Sequence, residues 1–231
     1  MKYVLQAILV SWLMVPPLFA DDRPVVVELF TSQGCSSCPP ADALLHELAK
    51  RDDVIALALH VDYWDYIGWK DEFADPRHAK RQRAYAIAAQ RRSIYTPEMI
   101  VNGTTDIVGS KPMQLARAID KHKNTPARVA LSISRQGETV QIDARNLRST
   151  TETMVVQVAR YTPLREARIT RGENAGHTLS YANVAHSWTV LGEWNGRAPL
   201  SMAAKVKGEE PVVVVIQIAG MGPIVAAAQL R

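Results

Sequence analysis

Val25-Val26-Val27-Glu28-Leu29-Phe30-Thr31-Ser32-Gln33-Gly34-Cys35-Ser36-Ser37-Cys38-Pro39-Pro40 contains the only two cysteines of the chain. A β-branched apolar run precedes them, and a helical pattern from Ala41 to Lys50 follows. A strand, a tight turn carrying C-x-x-C and a helix is the layout of a thiol–disulfide site, because the spacing lets the two sulfurs join with little chain movement. A helix start offers unpaired N–H groups and the positive end of the macrodipole, which favour a thiolate on Cys35. Cys38, expected one turn into the helix and more buried, then reads as the resolving thiol. Ser36 and Ser37 supply hydroxyls that can donate to the thiolate.

Three uses are open to such a pair: disulfide exchange, metal binding or an inert bridge. A bridge across four residues removes about 2 kcal/mol of unfolded-state entropy, against nearly 5 for a loop of about 100 residues. A lone short C-x-x-C is therefore a poor staple, and exchange is the leading reading. It needs no cofactor and no metal. Two thiolates with His60 as a third ligand make a Cu(I) site the alternative, since soft ligands select that ion. Two cysteines exclude a four-thiolate zinc site.

Lys2, an apolar stretch from Tyr3 to Val15, Pro16-Pro17 and Ala20 read as a signal peptide over residues 1–20. The stretch falls short of the roughly 20 residues that span a bilayer, so no membrane span is expected after cleavage. Without Lys2 the 27 basic residues become 26, against 23 acidic ones, for a charge of +3. That balance is too mild to imply nucleic acid as a partner. A periplasmic or secreted location follows from the leader, and there disulfides persist.

Residues 22–122 alternate strand and helix signals. Val54 to Val61 reads as a buried strand and Asp71 to Arg92 as a helix, with Pro76 at a start or break. Met99-Ile100-Val101 reads as a strand turned by Asn102-Gly103 onto Ile107-Val108. Pro112 to His122 reads as a closing helix with Ser110 as a candidate N-cap. After a linker near Lys121–Pro126 the period changes to two. Val129, Leu131 and Ile133 alternate with polar residues, and Val140, Ile142 and Ala144 continue on a return strand after Gln136-Gly137. Asn195-Gly196 signals a hairpin, and Val212 to Ile218 with Ile224 to Leu230 signals another. Residues 126–231 are expected to form an antiparallel all-β, sandwich-like domain.

The β-α-β-α-β-β-α order, the Cys-x-x-Cys and Tyr95-Thr96-Pro97-Glu98-Met99-Ile100-Val101 together resemble the thioredoxin superfamily. The resemblance implies an α/β thioredoxin-like domain with Pro97 as a cis-proline facing the cysteines and the backbone of Thr96 pairing with an extended substrate segment. More narrowly, the chain is similar to an exported bacterial family labelled domain of unknown function, family 1223. The matching segments are Glu28 to Pro40, His60-Val61-Asp62-Tyr63-Trp64-Asp65, Gly68-Trp69-Lys70-Asp71, Arg81-Gln82, Tyr95-Thr96-Pro97, Gly172-Glu173-Asn174 and Asn183-Val184.

Two departures from ordinary thioredoxins stand out. Gly34 replaces the aromatic residue usual before the first cysteine, and an insertion carries Tyr63, Trp64, Tyr66 and Trp69. These aromatics form either a substrate rim, with Tyr63 and Trp64 in contact, or a packed cap over the following helix. Thioredoxins place a buried acid near the resolving cysteine. Glu28, half-buried between Val27 and Leu29, is the candidate for that proton shuttle, or else it pairs with an arginine. The functional expectation is an exported thiol–disulfide oxidoreductase acting on protein thiols or disulfides with a redox partner. The competing expectation is a Cu(I)-binding or partner-binding protein in which the β-domain does the work.

Overall fold

Val25–Thr31 (β1) and Val54–His60 (β2) are buried along their whole length and pair in parallel, from Val25 opposite Val54 to Thr31 opposite His60. Strands covered on both faces need apolar residues at nearly every position, which is why these runs do not alternate. The computed structural model describes residues 23–148 and 152–231; the expected leader, residues 1–20, lies outside them. Pro39–Ala49 (α1) makes the crossover that parallel pairing requires. A 3₁₀ turn at Asp65–Ile67 and Pro76–Ala88 (α2) follow β2. This second helix starts later than the Asp71 expected, because Pro76 fits its first turn and the Asp75 side chain caps it by accepting from the Arg77 N–H.

Glu98–Val101 (β3) lies antiparallel to β1, and Thr105–Val108 (β4) returns beside β3 as expected. Pro112–Lys123 (α3) closes this part of the chain, with Lys111 rather than Ser110 at its N-cap. Leu45 and Leu48 of α1 and Leu115 and Ile119 of α3 pack on Val27, Leu29, Ala56 and Met99. Ala79 and Tyr85 of α2 pack with Val26, Phe30, Leu57 and Ile100, which alternate with the first set and so lie on the opposite face.

The second part is all β: Val129–Gln136 (β5), Thr139–Asn146 (β6), Met154–Arg168 (β7), Thr178–Trp194 (β8), Leu200–Lys205 (β9), Val212–Ile218 (β10) and Ile224–Leu230 (β11). The hairpins β5–β6 and β10–β11 form where the sequence places them. Asn195-Gly196 does not make a hairpin, since β8 pairs with β7 and β2 while β9 pairs with β6. The turn instead carries the chain from one sheet to another. β5, β6 and β9 form a three-stranded sheet; the other four strands join the first part in an eight-stranded sheet of order β11-β10-β7-β8-β2-β1-β3-β4.

Sheet-on-sheet packing is present, with Val140 and Ile142 set against Val156, Val158, Val214 and Ile216. The β segment is nonetheless not a sandwich of its own, because one of its two layers continues the sheet of the first part. The fold is thus mixed α/β, with one large sheet and one small one. The junction is parallel, Val184 of β8 opposite Ala58 of β2, with the Asn183 side chain donating to the Ala56 carbonyl at 2.9 Å. Among the described residues no helix is long and apolar enough to cross a membrane.

A buried polar network lies under α2. Arg81 donates from Nε to Glu28 at 2.6 Å and from Nη2 at 3.2 Å, and the Tyr85 hydroxyl donates to the same carboxylate at 2.6 Å. The guanidinium also reaches Gln157 of β7 and Gln217 of β10, both at 3.3 Å, and lies 3.9 Å from the Trp188 ring of β8. Truncating Glu28 to Ala leaves the guanidinium buried without its counter-charge, at an expected cost of about 3–5 kcal/mol. The double change Glu28→Leu/Arg81→Leu is expected to cost less than Glu28→Ala alone. Urea unfolding of the three proteins checks the order.

Candidate functional site

Cys35 and Cys38 are joined by a disulfide with their Cα atoms 5.4 Å apart. β1 runs into a turn in which the Cys35 N–H donates to Ser32 O at 3.1 Å and the Cys38 N–H to Cys35 O at 3.2 Å. Cys38 is the N-cap of α1, so it lies at the helix boundary and not one turn inside it as the sequence suggested. This helix start is poor in free donors. Pro39 and Pro40 carry no N–H, and those of Ala41 and Asp42 both point at Cys38 O, at 2.8 and 3.1 Å. Ser37 Oγ lies 3.5 Å from Cys35 Sγ. Both cysteines are buried, Cys35 being only 1% exposed, while Ser36 and Ser37 are exposed.

The insertion after β2 covers this turn. A Cβ on Gly34 would lie 3.2 Å from Trp64 Cβ and 3.3 Å from Ile67 Cδ1, so the inserted residues occupy the space a side chain would need. The Trp64 indole N–H donates to Thr96 Oγ1 at 2.7 Å, and the Thr96–Pro97 bond is cis. Gly109 lies between Pro97 and α1: a Cβ there would stand 2.8 Å from Ala41 Cβ and 2.9 Å from Pro97 Cβ. Cys35, Cys38, Trp64, Thr96 and Pro97 therefore share one neighbourhood. Tyr63 turns away, its hydroxyl donating to Gln82 of α2 at 3.1 Å, and burial pushes that hydroxyl up to about 12. In Tyr63 the insertion acts as a cap on α2. Tyr66 is 80% exposed and stacks on Trp64, with ring centroids 6.3 Å apart.

Glu28 is not brought to the cysteines. Val27 and Leu29 point toward α1, so Glu28, between them, points to the other face of the sheet and to Arg81. The acid below the cysteine turn is Asp42, four residues past Cys38, whose carboxylate accepts from Thr31 Oγ1 at 2.8 Å. Burial pushes Asp42 up to about 7 against the pull of His60 and the Thr31 bond, and the charge on Asp71 adds to the rise. Its sequence signal was a lone acid one helical turn beyond Cys38, next to buried Ala41 and before buried Leu45.

His60 ends β2, and its Nδ1 lies 2.7 Å from Asp71 Oδ2. Burial pushes Asp71 up, but His60 and hydrogen bonds from the Gln33 and Phe73 N–H groups outweigh it and hold the carboxyl below its usual value. The His60 ring meets Phe73 and Tyr181 edge-on at 5.4 and 4.6 Å. Among the described residues no three His, Cys, Asp or Glu side chains gather as metal ligands.

The turn between β7 and β8, closed by the Ile169 N–H on His177 O at 2.9 Å, reaches the same place from the second part of the chain. Asn174 Nδ2 donates to Gln33 O at 2.8 Å and to Cys35 O at 3.1 Å, and Glu173 Oε2 accepts from the Ser36 N–H at 3.2 Å. Gly172 packs close to Trp69, whose Cβ is 3.3 Å from where its own Cβ would be. Sequence reasoning assigned these three residues no role, because contacts between positions so far apart, 137 to 141 for Glu173 and Asn174, leave no local pattern.

A disulfide at a strand–helix turn, set in a mixed α/β sheet and covered from both parts of the chain, defines the class of site. The chain belongs to the family described as "Protein of unknown function (DUF1223)", whose model matches residues 26–217. A crystal structure of a protein from Agrobacterium tumefaciens is similar at 32% identity and TM-score 0.76, over 89% of this chain and 93% of that one. HBP35 of Porphyromonas gingivalis shares the fold at 16% identity and TM-score 0.59, over 90% of this chain and 74% of that one. No curated protein matches the chain.

Asp42 has a consequence for stability against pH. Its folded value of about 7 lies above its ordinary 3.8, so between those values the folded chain holds a proton that the unfolded chain has lost. Stability therefore falls as pH rises through that window, and Asp42→Asn removes the fall. The variant is expected to match the parent below about pH 4 and to exceed it by a few kcal/mol above about pH 7. Denaturant unfolding across that range measures it; a difference independent of pH counts against the assignment.

Proposed function

We propose that the chain is an exported thiol–disulfide oxidoreductase of the thioredoxin fold, acting in the periplasm or outside the cell on protein thiols and disulfides. The observation that carries the reading is the Cys35–Cys38 disulfide at the β1–α1 turn, beside Thr96-Pro97, at the edge of a β2-β1-β3-β4 arrangement. The parallel β1–β2 pair, the antiparallel β3–β4 hairpin and the split of α1 and α3 from α2 support the thioredoxin-like part.

In the reduced protein the Cys35 thiolate attacks one sulfur of a substrate disulfide. A mixed disulfide forms and the first substrate thiolate leaves. Cys38 gives up its proton and attacks Cys35 Sγ, which closes the Cys35–Cys38 bond and releases the second substrate thiolate. Two electrons pass from the pair to the substrate, and a partner dithiol returns the pair to its reduced state while becoming a disulfide. The proton-carrier role expected of Glu28 falls to Asp42, which lies beside the N-cap cysteine and titrates near neutrality. Thr96 presents its backbone to an extended substrate segment, and Trp64 buttresses it through Thr96 Oγ1.

Cys35→Ser is expected to abolish reduction of a protein disulfide, and Cys38→Ser to accumulate a mixed disulfide with it. Non-reducing electrophoresis of acid-quenched reactions resolves the two outcomes. A reduced parent protein that exchanges with neither glutathione nor a protein disulfide overturns the reading.

A further inference from the structure

Glu173 and the cysteine turn are 137 positions apart, yet the carboxylate takes a backbone donor from the residue next to Cys35. A thiolate at a helix start draws its stability from nearby N–H groups and from the positive end of the helix. Here the donor supply is short. Pro39 and Pro40 have none to give, and the N–H groups of Ala41 and Asp42 are spent on Cys38 O. The Cys38 N–H goes to Cys35 O, and that of Ser36 goes to Glu173. What faces Cys35 Sγ is the Ser37 hydroxyl at 3.5 Å.

The titratable groups on the elements packed around the turn include Asp42 and His46 on α1, His60 on β2, Asp62, Asp65, Lys70, Asp71 and Glu72 on the insertion, and Arg171, Glu173 and His177 on the β7–β8 turn. The charged side chains hydrogen-bonded to the turn's own backbone, among the described residues, are the carboxylates of Asp71, on the Gln33 N–H, and Glu173.

We infer that Glu173 is a positioning residue that sets the direction of exchange, holding the Cys35–Cys38 pair on the reducing side by occupying the Ser36 N–H and setting a negative charge beside the Cys35 thiolate. The inference rests on the oxidoreductase reading above. A thiolate-stabilising site makes a dithiol hard to oxidise, and so an oxidant of its substrates. Withholding that stabilisation favours the disulfide form of the pair and sends its electrons outward. A substrate disulfide is then reduced to two thiols as Cys35 and Cys38 become the disulfide, with a partner dithiol as the source of two electrons and two protons. The second part of the chain thereby serves the redox site, since β7 and β8 deliver Glu173 and hold it there through Asn174 on Gln33 O and Cys35 O.

The test is the equilibrium constant of the full-length mature protein with reduced and oxidised glutathione, for the parent, Glu173→Gln and Glu173→Ala. Gln keeps an acceptor for the Ser36 N–H and removes the charge; Ala removes both. The dithiol form is expected to gain about threefold in Glu173→Gln and about tenfold in Glu173→Ala, the latter about 30 mV in potential. The Cys35 thiolate absorbance is expected to titrate at lower pH in the same order. The gap between parent and Gln variant is expected to narrow from about 0.01 M to about 1 M salt, since the Glu173 carboxylate is exposed. Glu173→Asp is expected to return toward the parent. Equal constants for parent and variants, with the parent equilibrating normally, overturn this inference and leave the oxidoreductase reading standing. A parent that does not equilibrate with glutathione overturns both.

Discussion

Arg81 is the charge around which both parts of the chain are assembled. It is buried under α2 and bonded to Glu28 of β1, Gln157 of β7 and Gln217 of β10, with Trp188 of β8 against its face. A guanidinium in such a place costs several kcal/mol of desolvation unless its donors are met. Its partners come from four strands of the eight-stranded sheet, so the sheet has to be assembled across both parts for the charge to be satisfied. Tyr85 tightens the arrangement by bonding both Glu28 and Gln217. Burial raises the Tyr85 hydroxyl far above its ordinary value, which keeps it a donor to the carboxylate.

With the sheet set in that way, the long β7–β8 hairpin has one place to go. β8 leaves its pairing with β2 at Val184, passes α1 with Ser180 O against His46 Nε2 at 3.0 Å, and puts its turn over the cysteines. At the other end of β1 the two parts meet again, where the Ile224 N–H donates to Asn102 O at 2.9 Å. Gly103 is required there: its φ is +73°, and a Cβ would sit 2.9 Å from Gly222 O. The first part of the chain is thus gripped beside α1 and at the β3–β4 turn, and the C-x-x-C lies between elements from both.

Much of the first part was legible because its signals are local. Continuous apolar runs gave β1 and β2, Asn102-Gly103 gave the β3–β4 turn, and the cysteines and Thr96-Pro97 were placed together by their resemblance to a known arrangement. Alternation also found β5, β6, β10 and β11. The sheet that a strand joins is a different matter, decided by contacts far apart in sequence. Asn195-Gly196 has ideal hairpin residues, yet Trp194 pairs with Met154 of β7 while Leu200 pairs with Ala144 of β6, so the turn served to change sheets. Glu28 shows the same limit at the scale of one side chain. Its burial was readable from its neighbours, but the face it took depended on where α2 packed, and α2 brought Arg81.

Asp42 and Asp71 show how the site carries two acids beneath a disulfide. Two carboxylates that interact at close quarters do not both ionise easily, and hydrogen bonds decide which does. Asp71 accepts from His60 and from the N–H groups of Gln33 and Phe73, and its own N–H donates to Asp65 Oδ1. Those bonds favour the anion. Asp42 receives one bond, from the Thr31 hydroxyl, and is otherwise enclosed, so burial and the charge of Asp71 keep its proton on near neutral pH. The result is one fixed anion and one movable proton on the side of the sheet where α1 begins. In the proposed exchange, a thiol pair that sheds and regains protons as it opens and closes has a proton carrier there, one turn from Cys38, that a purely apolar floor would not offer. The anion also orients His60 through Nδ1, and His60 in turn draws Asp42 toward its charged form, so the proton on Asp42 is held against His60 and the Thr31 hydrogen bond together.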